Sequence, residues 1–240
     1  MLAVSAGPRP GGGQDGDGPR FNPLILVTFP GAYSQILSFV LGLGGLFAVI
    51  YGAAIAGSEW SWGTFKSIVA RGESRTLYML STFAAVAVAL FVGLLLVFLI
   101  GVMAGVVGAT IARVPLDGIG DSEALARLPT LFGRGAVAIA AQGALGFTVA
   151  TLARSQLAGI GFGIAIYFVG TFASIFLPDI VQYLPFQLAS RAIGSGFSGG
   201  PGPALAAGMS ADTALVLLVA WLVGSLIVAA GFSERAEVLG

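Results

Sequence analysis

Five apolar stretches without a charged side chain, at 32–57, 83–111, 135–153, 156–177 and 213–232, decide what this chain can fold into. A helix crossing a hydrocarbon core of about 30 Å needs about 20 consecutive apolar residues. Each stretch meets that requirement, and the sequence therefore predicts an all-α, polytopic integral membrane protein with five transmembrane helices. The first stretch opens after Pro30-Gly31 and closes before Glu59. The second lies within a longer uncharged run, 76–112, with no proline or turn cluster to break it, which fits one tilted helix better than two. Arg134 and Arg154 bound the third, and the fourth follows at once and stops at Pro178-Asp179, so the two form a tight helical hairpin. The fifth follows Ser210-Ala211-Asp212, a helix start with a capping residue, and ends before Ser233-Glu234-Arg235.

Composition narrows the chemistry. Only 9% of residues are charged and mean hydropathy is +0.97, against about 25% charged residues in a soluble domain. Cysteine and histidine are both absent, which removes disulfides, thiol nucleophiles and imidazole bases or metal ligands. No catalytic residue, metal ligand or chain-bound cofactor is expected. Eleven basic and 11 acidic residues give a net charge of zero and no clustered basic face for nucleic acid. The spans hold no buried carboxylate for an ion or proton path and no continuous polar stripe for a passive channel. Gln142, Thr148, Thr151, Tyr167 and Thr171 interrupt them only as candidates for interhelical hydrogen bonds.

Between the spans, 113–134 carries mixed charge and two prolines and reads as a solvated loop. In the external segment 178–212, residues 183–193 read as a short amphipathic helix at the headgroup level, interfacial or re-entrant, with 194–203 as a flexible return. The N-terminal segment 1–31 opens on Gly- and Pro-rich sequence that cannot bury a core and is expected to be disordered and external. Gly101 with Gly105, and Gly159 with Gly163, repeat at the four-residue interval that lets helix backbones approach in lipid. Packing within one subunit is the first reading of these pairs, and a homodimer seam the second.

The densest charge lies between the first two spans, in 58–82. It runs Gly57-Ser58-Glu59-Trp60-Ser61-Trp62-Gly63-Thr64-Phe65-Lys66 and on to Ala70-Arg71-Gly72-Glu73-Ser74-Arg75. Lys66, Arg71 and Arg75 suit headgroup phosphates or an acidic partner groove, while Trp60, Trp62 and, farther on, Tyr183 suit the membrane interface. Gly63 and Gly72 permit sharp changes of direction.

The order Glu-x-x-x-Gly-Thr, then a basic-Gly turn and Ser-Arg, resembles the signature of ABC-2 type transporter permeases, bacterial membrane subunits that pair with a separate ATP-binding subunit. Tyr183-Leu184-Pro185-Phe186 and the charged tail after Phe232 extend the resemblance, which covers roughly 28–240. It implies that Glu59, Gly63, Thr64, Lys66, Arg71, Ser74 and Arg75 form a cytosolic coupling loop docking on an ATPase that carries ATP and Mg. It further implies a homodimer or a related second permease subunit, membrane lipid around both, and the cytoplasmic (inner) membrane as location. Two departures stand out. Where the family carries a lysine shortly after Ser-Arg, this chain has Leu80-Ser81-Thr82-Phe83. The family has six spans against the five here, so either a first helix precedes 1–31 or the topology is inverted. Basic residues do not choose, since the family-like orientation places Lys66, Arg71, Arg75, Arg154 and Arg235 inside and Arg9, Arg20, Arg113, Arg127, Arg134 and Arg191 outside. The alternative reading is a membrane assembly or anchoring protein without transport activity, separated from the first by whether a P-loop ATPase gene lies alongside.

With no native cysteine, single cysteines at Ser67 and Ser122 give a direct test of topology. They are expected on opposite faces with position 67 cytosolic, and labelling of position 67 by an impermeant maleimide in intact cells would reverse the orientation.

Overall fold

The computed structural model describes residues 27–64, 67, 71–72, 74–194 and 209–235. Among them every regular element is helical. Five helices are long and apolar enough to cross a membrane: α1 (Gly31–Ser61), α2 (Arg75–Ala112), α3 (Ser122–Ala153), α4 (Gln156–Phe176) and, after two short helices, α7 (Ala211–Arg235). The chain is a multi-pass, all-α membrane protein. The short helices are α5 (Pro178–Val181) and α6 (Pro185–Ala192), and a 3-10 turn, Asp117–Gly120, precedes α3. The expected disordered start lies largely outside the described residues, as does most of the 194–203 return.

Two helices begin earlier than their apolar runs. Ser74 caps α2 by accepting from the Leu77 amide at 3.3 Å, so the helix opens at Arg75 and the connection from α1 shrinks from 58–82 to 62–74. Asp121 caps α3 by accepting from the Ala124 amide at 2.7 Å, and the helix opens at Ser122. The expected solvated loop over 113–134 is therefore helical from Ser122 onward. Its charges line one side, where Glu123 pairs with Arg127 one turn on, while Leu128, Leu131 and Phe132 pack on the core. Phe132 meets Phe98 of α2 edge-on with ring centroids 4.7 Å apart.

α1 and α3 form the axis of the bundle, and glycine sets their separation. A Cβ at Gly52 would overlap the Gly143 carbonyl, and one at Gly146 would overlap the Val49 carbonyl. Such approach is how helices associate in lipid, where van der Waals contact replaces the hydrophobic drive. The α3–α4 hairpin returns α4 against the same seam: Gly159 faces Ala150 and Ala53, and Gly163 faces Val49. Gly101 of α2 sits on Ile36. Both glycine repeats are thus occupied by packing inside the chain, as the first reading expects. α3 is 67% buried over its membrane-crossing stretch, whereas α7 is 17% buried.

α6 turns back into the bundle. Its Leu188, Ala189 and Ala192 are buried against Ala138, Ala141, Ala214 and Leu218 of α3 and α7. Leu184 reaches Gly170 of α4, six residues and about 9 Å below the end of that helix. The Trp221 indole donates to the Tyr183 carbonyl at 2.9 Å from ten residues inside α7. Tyr183, expected as a headgroup-level anchor, stands between the two short helices, half-exposed beside α7. Arg134 closes the return by donating to the Ala192 carbonyl at 3.0 Å and to the Asp212 carboxylate.

Two experiments follow. Gly146→Ala is expected to destabilise the detergent-solubilised protein by about 1–3 kcal/mol through overpacking. Gly161→Ala, where a Cβ meets nothing within 4 Å, should be neutral or stabilising by up to about 1 kcal/mol. Equal thermal shifts would refute the glycine seam. Arg134→Met should cost about 1–2 kcal/mol, mostly through the carbonyl bond because Asp212 is exposed. Arg127→Met removes an exposed i,i+4 pair and should change thermal unfolding little.

Candidate functional site at the loop end of the bundle

Alternation of the spans brings the last turn of α1, the first turn of α2, the α3–α4 turn and the last turn of α7 to one end of the molecule. Most of the charged motif of 57–75 lies there, with Arg154 and the start of the tail. α1 carries its helix past the expected boundary, so Glu59 and Trp60 are helical. A Cβ at Gly57 would overlap the Gln156 backbone, and this contact holds the α3–α4 turn directly against the end of α1.

The motif residues divide by what they touch. Glu59 accepts a hydrogen bond from the Tyr78 hydroxyl of α2, bracing the two roots of the loop against each other. Beside that pair lies a cavity of about 10 Å³ lined by Glu59, Tyr78, Thr82 and Thr151 among others, a volume at the lower limit for one water molecule. Trp60 is half-buried rather than fully interfacial, with the Arg154 guanidinium 5.2 Å over its ring. The same guanidinium lies 5.5 Å from the Phe232 ring of α7, so one cation joins two aromatic faces. Arg154 itself takes a left-handed conformation, φ 50°, as the C-cap of α3.

Arg75 is turned inward. Expected to meet headgroup phosphates or an acidic partner, its Nη1 donates instead to the Ser233 and Glu234 carbonyls of α7 at 3.4 and 3.3 Å. Next to it the Thr76 hydroxyl donates to the Glu234 carboxylate. Ser74 serves α2 as its N-cap.

What remains outward is narrower than the full motif. Trp62 is 82% exposed, and Arg71 is exposed beside Gly72. Gly63 at φ +71° and Gly72 at φ +79° occupy the left-handed region where a side chain is strained, and they turn the chain out of α1 and back toward α2. Thr64 follows Gly63 in a partly buried position. Lys66 lies outside the described residues. Tyr183 belongs to the opposite end of the bundle and takes no part.

Arg154 completes this site and read in the sequence simply as a boundary after an apolar run, because its partners Trp60 and Phe232 stand far off in sequence; the last turn of α7 adjoins the charged tail that the resemblance took in. Within the spans, Thr148 donates to the Ser225 carbonyl of α7 at 2.9 Å, and Gln142 points its Nε2 at the Pro185 carbonyl at 3.5 Å. These are interhelical contacts, as expected. Thr151 donates to the Phe147 carbonyl of its own helix. No group of three or more carboxylate, histidine or cysteine side chains capable of holding a metal occurs among the described residues.

The chain is 26% identical over 208 residues to a protein of Bacillus subtilis (strain 168) described as uncharacterized protein YhcI. That alignment takes in 82% of this chain but 65% of the relative, so the chain spans just under two thirds of the length of the curated relative it matches. No solved structure matches. Residues 26–233, which take in all five spans and both ends of the bundle, match the family described as "Protein of unknown function (DUF2705)", and the chain belongs to that family.

Proposed function

We propose that this protein is the membrane-spanning permease subunit of an ATP-driven transporter of the ABC-2 type, seated in the bacterial cytoplasmic membrane. The carrying observation is the loop between α1 and α2, which presents exposed Trp62 and Arg71 while both of its roots are braced against the bundle by Glu59–Tyr78 and Arg75–α7. A loop so built has an outward face for a partner and bonded connections to the spans. The uncharged interior supports the same reading, because spans without a carboxylate relay offer no route for ion-gradient coupling and energy must enter from outside the membrane. ATP and Mg then reside on a separate ATPase, a second permease subunit completes the pathway, and this chain contributes no catalysis.

The inward turn of Arg75 sharpens the assignment within the loop. Arg71 offers its charge to the partner, and Arg75 positions α7.

Purification of the tagged protein from its native host is expected to recover a P-loop ATPase. Arg71→Glu should weaken that association about 5- to 30-fold, the effect of about 1–2 kcal/mol at a charged interface, without lowering thermal stability. Arg75→Glu should lower stability itself. Recovery of membrane partners without any ATPase would reject the transport reading in favour of an assembly or anchoring role.

A further inference from the structure

We propose that the last turn of α7 is an intramolecular strap that ties both roots of the α1–α2 loop to α7, so that displacement of the loop is passed to that helix. Three contacts make the strap. Phe232 lies under the Arg154 guanidinium, which also covers Trp60 at the end of α1. The Ser233 and Glu234 carbonyls accept from Arg75 at the start of α2. The Glu234 carboxylate accepts from the neighbouring Thr76 hydroxyl.

The remaining attachment of α7 explains why this matters. In lipid an apolar helix gains nothing from leaving the solvent, since acyl chains are as apolar as its own side chains, and its place is set by close packing and polar contacts. α7 lies at the edge of the bundle, 17% buried over its membrane-crossing stretch against 22% for α2, 24% for α4 and 67% for α3, and it packs on α3 through Ala214, Leu218 and Ala229. Its polar attachments outside the strap are Asp212 on Arg134, Trp221 on the Tyr183 carbonyl, and the Ser225 carbonyl on Thr148. Below Ser225, toward the loop end, the strap alone supplies side-chain hydrogen bonds to α7 from other helices among the described residues. The strap is a property of this chain alone and stands whether or not an ATPase docks.

The chain has no cysteine, so spin-label pairs report on it directly. In the full chain in nanodiscs, labels at Trp62→Cys and Ile227→Cys, both exposed, span the strap, and labels at Ser122→Cys and Val216→Cys report the far end. Combining Phe232→Ala with Glu234→Ala is expected to widen the 62–227 distance distribution at least twofold and leave the 122–216 distribution unchanged. An unchanged 62–227 width overturns the strap. If both pairs widen because the double variant has released α7 altogether, Thr76→Val decides: it removes one hydroxyl, should widen the 62–227 pair alone, and an unchanged width there overturns the proposal equally.

Discussion

α1 and α3 approach until main chain meets main chain, and the position of every other helix refers to that seam. Gly52 stands on the Gly143 carbonyl, Gly146 on the Val49 carbonyl, and Gly57 on the Gln156 backbone, leaving no room for a methyl group at any of the three. Dispersion between closely fitted backbones is the main attraction available to apolar helices in lipid, and it falls off within an ångström of separation. Small residues beside the glycines, Ala48, Ala53 and Ala144, are fully buried and keep the approach uniform. The short turn after Ala153 then returns α4 to the same groove through Gly159 and Gly163. Three spans are thereby packed by shape alone.

The helices outside that seam add polar contacts to their apolar packing. Arg134 gathers the end of α6 and the start of α7 on one side of the bundle, and Arg75 and Arg154 gather the end of α7 on the other. Backbone away from the helices at membrane depth is tolerated where protein covers or bonds it. The turn before α6 meets that condition, with the Tyr183 carbonyl taken by Trp221 and the Val181 side chain buried.

What the sequence made legible was governed by local chemistry. Uncharged length alone located five spans, and a run of Ser, Ala and Asp before the last one marked its start, where Ser210 accepts from the Thr213 amide. Residues 183–193 read as a short helix on the strength of amphipathicity, and α6 lies there, but its depth depended on Trp221 and Gly170, which no local pattern connects to it. The charged residues before Arg134 misled because net polarity was weighed above periodicity: Leu128, Leu131 and Phe132 recur at helical spacing beneath the charges. Arg75 was read by its charge as outward, whereas the acceptor that claims it lies 158 positions away. Charge in a loop states what a side chain can bond, and only the fold states what is within reach.

Those two modes of attachment divide the molecule mechanically, and the motif loop sits on the division. Its first root, the end of α1, belongs to the shape-packed seam through Gly57, where any shift must separate fitted backbones. Its second root, the start of α2, is joined to α7 by hydrogen bonds to carbonyls and one carboxylate. Under the proposed transport reading, a force on Arg71 or Trp62 would be resisted at α1 and passed on at α2. Under that reading, motion entering from this end would have a route along α2 and the strap to α7, whose far end is tied by Arg134 to α6. In the same proposed reading, the seam would serve as the fixed half and the α6–α7 pair as the half that moves, an arrangement that needs no charged residue within the spans.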